Sequence, residues 1–329
     1  ARMLTDLPGP VHALAFSPDG KTLAVGSGLP ARQGIARLYD IADGSLKHAL
    51  EGHNDVVYGL AFAPDGTRLA TASFDQTVRL WDVSSGQAGV VFKGHSDFVY
   101  DVAFTPDGKS VLSCGKDRSI KRFDAATGKG QRTYSGHNED VLALAVLPDG
   151  SGFVSAGLEP PLRWWTMDGD KPFRTTGGHG GPVHELAFSG DGKRLLSVSG
   201  DRSARLWDDQ GKSLRSLTGP TEWQYAAALS RDGALAASGG WDGLVRLWDA
   251  STGTLRATLM QPPGLSASQA DWLVVTPGGA LDASDDLRPL LRWTAAGKEL
   301  DHDAALKVFH QPERAARTLR GETVVPLFP

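Results

Sequence analysis

Between residues 55 and 82 the chain reads DVVYGLAFAPDGTRLATASFDQTVRLWD. Three short apolar stretches alternate with tight polar breaks, a pattern of strands joined by turns. The first break, APDG, has Pro64 to preset its own φ and Gly66 to take a positive one. The second falls at Phe74, Asp75 and Gln76, and a fourth stretch, QAGVVFKG, follows. The expected unit is a four-stranded antiparallel sheet. One such sheet cannot cover both of its faces, so several must stack.

The pattern recurs. Glycine–histidine pairs place His53, His95, His137 and His179 at intervals of 42 residues. Asp-Gly turns begin at Asp19, Asp65, Asp107, Asp149, Asp191 and Asp232. A third series (RLYD, RLWD, KRFD, RWWT, RLWD, RLWD and a weaker LRWT) carries Tyr39, Trp81, Phe123, Trp165, Trp207, Trp248 and Trp293. The seven aromatic marks imply seven units.

A period of about 40 to 45 with GH and WD marks resembles the WD-repeat β-propeller family, here taken to be of bacterial type. The resemblance covers residues 7–293. It implies an all-β fold: a seven-bladed β-propeller of four-stranded antiparallel blades, with a short C-terminal helix. Residues 1–304 form the propeller and 305–329 a tail packed on it. The expected ring closure pairs residues 3–7 with the blade containing Trp293, the rival strand lying around Glu299.

The resemblance also implies a buried hydrogen-bonded set in each full repeat: His53, Thr71, Asp75 and Trp81 in the second unit, His179, Ser197, Asp201 and Trp207 in the fifth. His bridges donor and acceptor, Asp accepts, and the indole donates. The third unit has His95, Ser113 and Asp117, but Phe123 cannot donate. The fourth has Glu159 in the Asp position, and the sixth has Pro220 where His stands elsewhere. A metal or hydrolase reading of these His, Ser and Asp residues fails on geometry, because they recur once per blade and do not converge. Neither GxSxG, HExxH nor a phosphate loop is present. Catalytic residues, metal ligands and cofactors are therefore not expected. The bases two before each aromatic mark (Arg37, Arg79, Lys121, Arg163, Arg205, Arg246) read as solvated strand residues.

In the resembled family one face is built from the residues three and five after the GH histidine and from the residue before the turn aspartate. Here those positions hold Tyr58, Phe74, Phe98, Tyr100, Lys116, Asp140, His184, Trp223, Tyr225 and Trp241, with His12 and Asp271 beside them. Rings gathered where loops converge make a partner-binding surface. The implied function is a non-catalytic scaffold that binds a protein or peptide there. Two alternatives stand: a sensor or regulatory domain of a larger effector, and an enzyme or small-molecule binder at the axial funnel using Asp140, His184 and Asp271.

Composition narrows the partner. With 38 acidic and 34 basic residues the formal charge is -4, which gives no electrostatic reason to expect nucleic acid. Neither an apolar run of membrane-spanning length nor a signal-peptide pattern is present, and Cys114 is the single cysteine. The expectation is a cytoplasmic protein, with a periplasmic or exported one not excluded, acting as a monomer or as a subunit of a larger assembly. The start at Ala1 fits a processed chain or a piece of a longer one. The segment FHQPERAARTLRGE favours a helix beginning at Pro312 and stopping at Gly321. This tail and the preceding DWLVVTPGGALDASDDLRPLLRW resemble the ends of some bacterial WD-repeat domains, including ones fused to caspase-like peptidases.

Overall fold

The computed structural model describes residues 7–260, 273–277, 279–284, 288, 291, 294–295, 298–299, 301–320, 322 and 324. Blade 1 holds β1 (Val11–Phe16), β2 (Thr22–Leu29), β3 (Gln33–Asp40) and β4 (Leu46–His53). Blade 2 holds β5 (Val57–Phe62), β6 (Arg68–Ser73), β7 (Thr77–Asp82) and β8 (Ala88–Lys93). Blade 3 holds β9 (Val99–Phe104), β10 (Ser110–Gly115), β11 (Ile120–Asp124) and β12 (Gly130–Tyr134). Blade 4 holds β13 (Val141–Val146), β14 (Gly152–Gly157), β15 (Leu162–Thr166) and β16 (Arg174–Thr176). Blade 5 holds β17 (Val183–Phe188), β18 (Arg194–Ser199), β19 (Ala204–Asp208) and β20 (Ser213–Leu217). Blade 6 opens with β21 (Gln224–Leu229), β22 (Leu235–Gly240), β23 (Leu244–Asp249) and β24 (Leu255–Met260). Consecutive strands pair antiparallel throughout.

The first turn of each blade is set by one carboxylate and one glycine. Asp65 Oδ1 accepts from Thr67 N at 2.9 Å and from Thr67 Oγ1 at 2.8 Å. Gly66 sits at φ 72°, a conformation that only glycine adopts at no steric cost. The equivalent glycines 20, 108, 150, 192 and 233 lie between 67° and 74°. The second strand of a blade is covered on both faces by its neighbours. In β6, β10, β14 and β18 nearly every residue is therefore buried, and apolar and small residues replace strict alternation. Cys114 lies in this layer, and burial pushes its thiol up.

Five cores join the blades in series. The one between blades 1 and 2 contains Leu38, Leu50, Leu69 and Trp81. Similar cores follow to blade 6, and the innermost strands meet in the order β1, β5, β9, β13, β17, β21. Leu60 and Phe62 of β5 pack against the blade before theirs. Their counterparts on β1, Leu14 and Phe16, are 63% and 64% exposed.

The structure is a six-bladed propeller, and the expectation of seven blades is corrected. The stretch read as strands of a last blade adds to the sixth instead. In it, β25 (Leu273–Val275) pairs with the outer edge of β24, Leu259 facing Val274, and β26 (Leu281–Ala283) pairs with β25. Residues 1–6 and 293, on which the expected closure rests, lie outside the described residues. Beyond β27 (Thr294–Ala295) and β28 (Lys298–Glu299), which pair with each other, come two short helices. The first, α1 (His302–Phe309), was not expected and spans the proposed 304/305 boundary; Asp301 caps it by accepting from Ala304 N at 2.8 Å. The second, α2 (Pro312–Leu319), starts at Pro312 and packs beside β24 and β26.

Candidate functional site

The GH histidines stitch blades together. His53 ends β4 of blade 1, yet its Nε2 lies 2.6 Å from Thr71 Oγ1 and its Nδ1 2.8 Å from Asp75 Oδ2 in blade 2. Trp81 Nε1 donates to the same Thr71 oxygen at 2.9 Å. In blade 5, His179 meets Ser197 at 2.7 Å and Asp201 at 2.9 Å, with Trp207 donating to Ser197 at 2.8 Å. The partners fix the tautomer: Nδ1–H donates to the carboxylate and Nε2 accepts from the hydroxyl. Burial lowers the pKa of His53 and His179, outweighing their aspartates, so both rings are neutral at pH 7. Burial works against ionisation of Asp75 too, but hydrogen bonds from His53, Thr77 and the Asn54 amide hold its carboxyl well below the usual range.

The departures differ in kind. In blade 3, His95 keeps Ser113 at 2.8 Å and Asp117 at 2.9 Å, and Phe123 only packs. In blade 4 an arginine takes over: Arg163 Nη1 donates to His137 Nδ1 at 3.0 Å and pairs with Glu159 at 2.7 Å. His137 Nδ1 must then accept, so Nε2–H donates to Ser155 at 2.7 Å, the opposite tautomer. Burial and the guanidinium push its pKa down to about 4. In blade 6, Arg246 pairs with Asp242 at 2.8 Å, while Trp248 donates to Ser238 at 3.1 Å. Arg163 and Arg246 are buried, which corrects their reading as solvated strand residues. Among the described residues no three His, Cys, Asp or Glu side chains group as metal ligands.

The ten proposed face residues fall into two groups. Across blades 1 to 3, His12, Tyr58, Phe74 and Phe98 form a column with centroid spacings of 5.4, 5.0 and 4.5 Å. Lys116 Nζ lies 4.8 Å from the Phe98 centroid and closes the column. Tyr100 sets its edge against Tyr58 and Phe74, and its hydroxyl donates to Asp140 Oδ2 at 3.1 Å. Burial, then Asp140, pushes that phenol far up, so it stays a donor. On blades 5 and 6, His184 lies 5.9 Å from Trp223 and 4.7 Å from Tyr225, and Tyr225 lies 6.0 Å from Trp241. Burial raises the Tyr58 phenol, and the charges of Tyr225 and Glu185 raise it further. Asp271 lies outside the described residues.

Two carboxylates at the axis escaped the sequence reading. Asp101 Oδ2 accepts from Leu144 N of the next blade at 2.8 Å, and Glu185 Oε2 accepts from Ala227 N at 2.9 Å. Both residues are half-buried. Burial pushes Asp101 up to about 6 and Glu185 up to about 8, against the pull of these amides. Their signal was a charged residue inside VYDVAF and VHELAF, where blade 2 has Gly59.

Parts of the sequence are similar to known proteins. The 68 residues shared with the Intraflagellar transport protein 122 homolog of Danio rerio are 43% identical and cover 21% of this chain and 5% of that one. Striatin-4 of Homo sapiens is 58% identical over 41 residues, 12% of this chain and 5% of that one. Small ribosomal subunit protein RACK1y of Oryza sativa subsp. japonica is 49% identical over 45 residues, 14% of this chain and 13% of that one. The chain thus spans a small part of each relative's length. These relatives are eukaryotic, and the expected bacterial type finds no support in them. The family described as WD domain, G-beta repeat matches residues 2–40, 44–82, 86–124, 128–159, 170–208 and 211–249. From the second onward, each match takes the outer strand of one blade and three strands of the next, except the fourth, which stops after two, before β15. With six such matches over most of its length, the chain belongs to the WD domain, G-beta repeat family.

Proposed function

We propose that the chain is a non-catalytic interaction domain that binds a protein or peptide partner on the aromatic face. The observation that carries the reading is the gathering there of ten side chains from blades 2 to 6 into two ring groups. Rings with polar tips are the side chains that contribute most to binding when a partner covers them. The rice relative is by its name a component of the small ribosomal subunit, which fits a domain that works inside a larger assembly. The partner is proposed to be protein rather than nucleic acid or membrane. No helix among the described residues is long and apolar enough to cross a membrane.

A funnel site for a small molecule is the second reading, favoured by the channel carboxylates Asp101 and Glu185. Each already spends an oxygen on a backbone amide of the next blade, so they serve the fold first. The test is affinity capture from the source cells with the wild type and with a variant carrying Tyr100→Ala, Trp223→Ala and Trp241→Ala. The variant should keep its far-UV circular dichroism and lose the partner that the wild type retains. Undiminished capture rejects the face.

A further inference from the structure

The two ring groups differ in what they leave open. In the column on blades 1 to 3, interplanar angles of 26°, 23° and 9° make the rings cover one another. The last face, that of Phe98, is taken by the Lys116 ammonium, which also lies 3.8 Å from Asp97 Oδ2. That end is a ring face and a carboxylate holding a cation. The group on blades 5 and 6 has the same ingredients. Tyr225 meets His184, Trp223 and Trp241 at 43°, 48° and 57°, and the single stack, His184 on Trp223 at 27°, covers one face of that indole. Trp241 is 75% exposed, Trp223 47% and Tyr225 37%. Exposed Glu222 precedes Trp223, and Asp242 is already engaged by Arg246. Burial keeps His184 neutral at pH 7, so it does not repel a cation. Among the described residues no lysine or arginine lies over these rings. On the β18–β19 and β22–β23 turns the one basic residue is the exposed Arg202.

We infer that Trp223, Tyr225 and Trp241, with Glu222, form the docking site for a lysine or arginine side chain of the partner. The inference rests on the proposed interaction face and names the chemistry it selects. Indole is the ring that attracts a cation best, and Glu222 adds a charge at the rim. An apolar side chain gains only burial there, and an acidic one is repelled by both the ring faces and Glu222.

A randomised heptapeptide library displayed on phage tests this against the immobilised chain. Peptides retained by the wild type should share a lysine or arginine. In a selected synthetic peptide, replacing that residue by norleucine should weaken binding roughly 2- to 30-fold. Against Trp223→Ala/Trp241→Ala the same replacement should change nothing, because the rings that sense the charge are gone. Both tryptophans are largely exposed, and circular dichroism checks that the variant folds. Peptides that need the face yet show no basic preference overturn the inference and leave the interaction face standing. So does a norleucine penalty that persists in the variant. Peptides indifferent to the variant with Tyr100→Ala, Trp223→Ala and Trp241→Ala remove the face itself, and an empty selection counts against both.

Discussion

Thr71 Oγ1 serves two buried neighbours, accepting from Trp81 and donating to His53. Thr71→Val keeps the shape and strands both. Each orphaned group costs about 1–3 kcal/mol, so the loss should be about 2–6 kcal/mol by urea unfolding. Ser113→Ala in blade 3 strands only His95, because Phe123 asks for nothing, and should cost about 1–3 kcal/mol, half as much. Equal losses would mean that the indole bond contributes nothing. These sets were legible because His to Asp is 22 residues in both full repeats. The arginine exchange in blade 4 was not. Arg79 and Arg163 occupy the same strand position, and only Glu159 together with His137 turns the second inward. His137 has its folded pKa below its unfolded one, so the unfolded chain takes up more protons between about pH 6.5 and 4. Stability should fall as the pH drops through that window. The inverted tautomer predicts that ¹⁵N shifts will show Nε2 protonated in His137 and Nδ1 protonated in His53 and His179.

Strands β9 and β17 each clasp the next inner strand with one carboxylate. The receiving strands β13 and β21 are sheet edges at the axis, and an edge leaves amides without a strand partner. Asp101 and Glu185 take one each, from Leu144 and Ala227. The clasp carries a pH signature of opposite sign to that of the histidines. Glu185 binds its proton more tightly folded than unfolded, so its contribution is complete below the ordinary carboxylate pKa and is lost as pH rises through about 8. Above pH 6.5 the histidine contribution is already flat. From there to pH 9 the wild type should lose stability and Glu185→Gln should stay level, its amide oxygen still accepting from Ala227. The variant should be the more stable at pH 9 by about 1 kcal/mol or more, since a tenfold difference in proton affinity between the folded and unfolded chain corresponds to about 1.4 kcal/mol. Parallel urea midpoints across that range would reject a strained carboxylate. Neither clasp was legible in the sequence. A lone acid in a strand looks solvated until the next blade brings an amide to it.

Blade number belongs to the whole molecule, and counting aromatic marks misread it. The mark tags the third strand of a sheet, whereas a new blade begins when the chain is turned from an outer strand to the axis. His53 performs that turn between blades 1 and 2, and Pro220 with Thr221 replaces it before blade 6. After Met260 no glycine–histidine pair follows, and β25 takes the free edge of β24. That edge, LRATLM, carries a single charge, so leaving it open would invite pairing with another chain. Hairpins, turns and repeat length were thus legible because they are local. Edge capture was not, because it depends on which strand edge the returning chain meets. The same logic predicts how damage spreads. Blades touch only their neighbours, so stability should be regional, as in other repeat folds. Val274→Pro removes a backbone donor from β25 and should loosen its hold on β24. Hydrogen exchange should then speed up at least tenfold, roughly, for the amides of residues 258–260, while β5 to β7 of blade 2 keep their wild-type protection. Uniform acceleration across all six blades would mean that the propeller opens as one unit, with the edge strand as part of its common core.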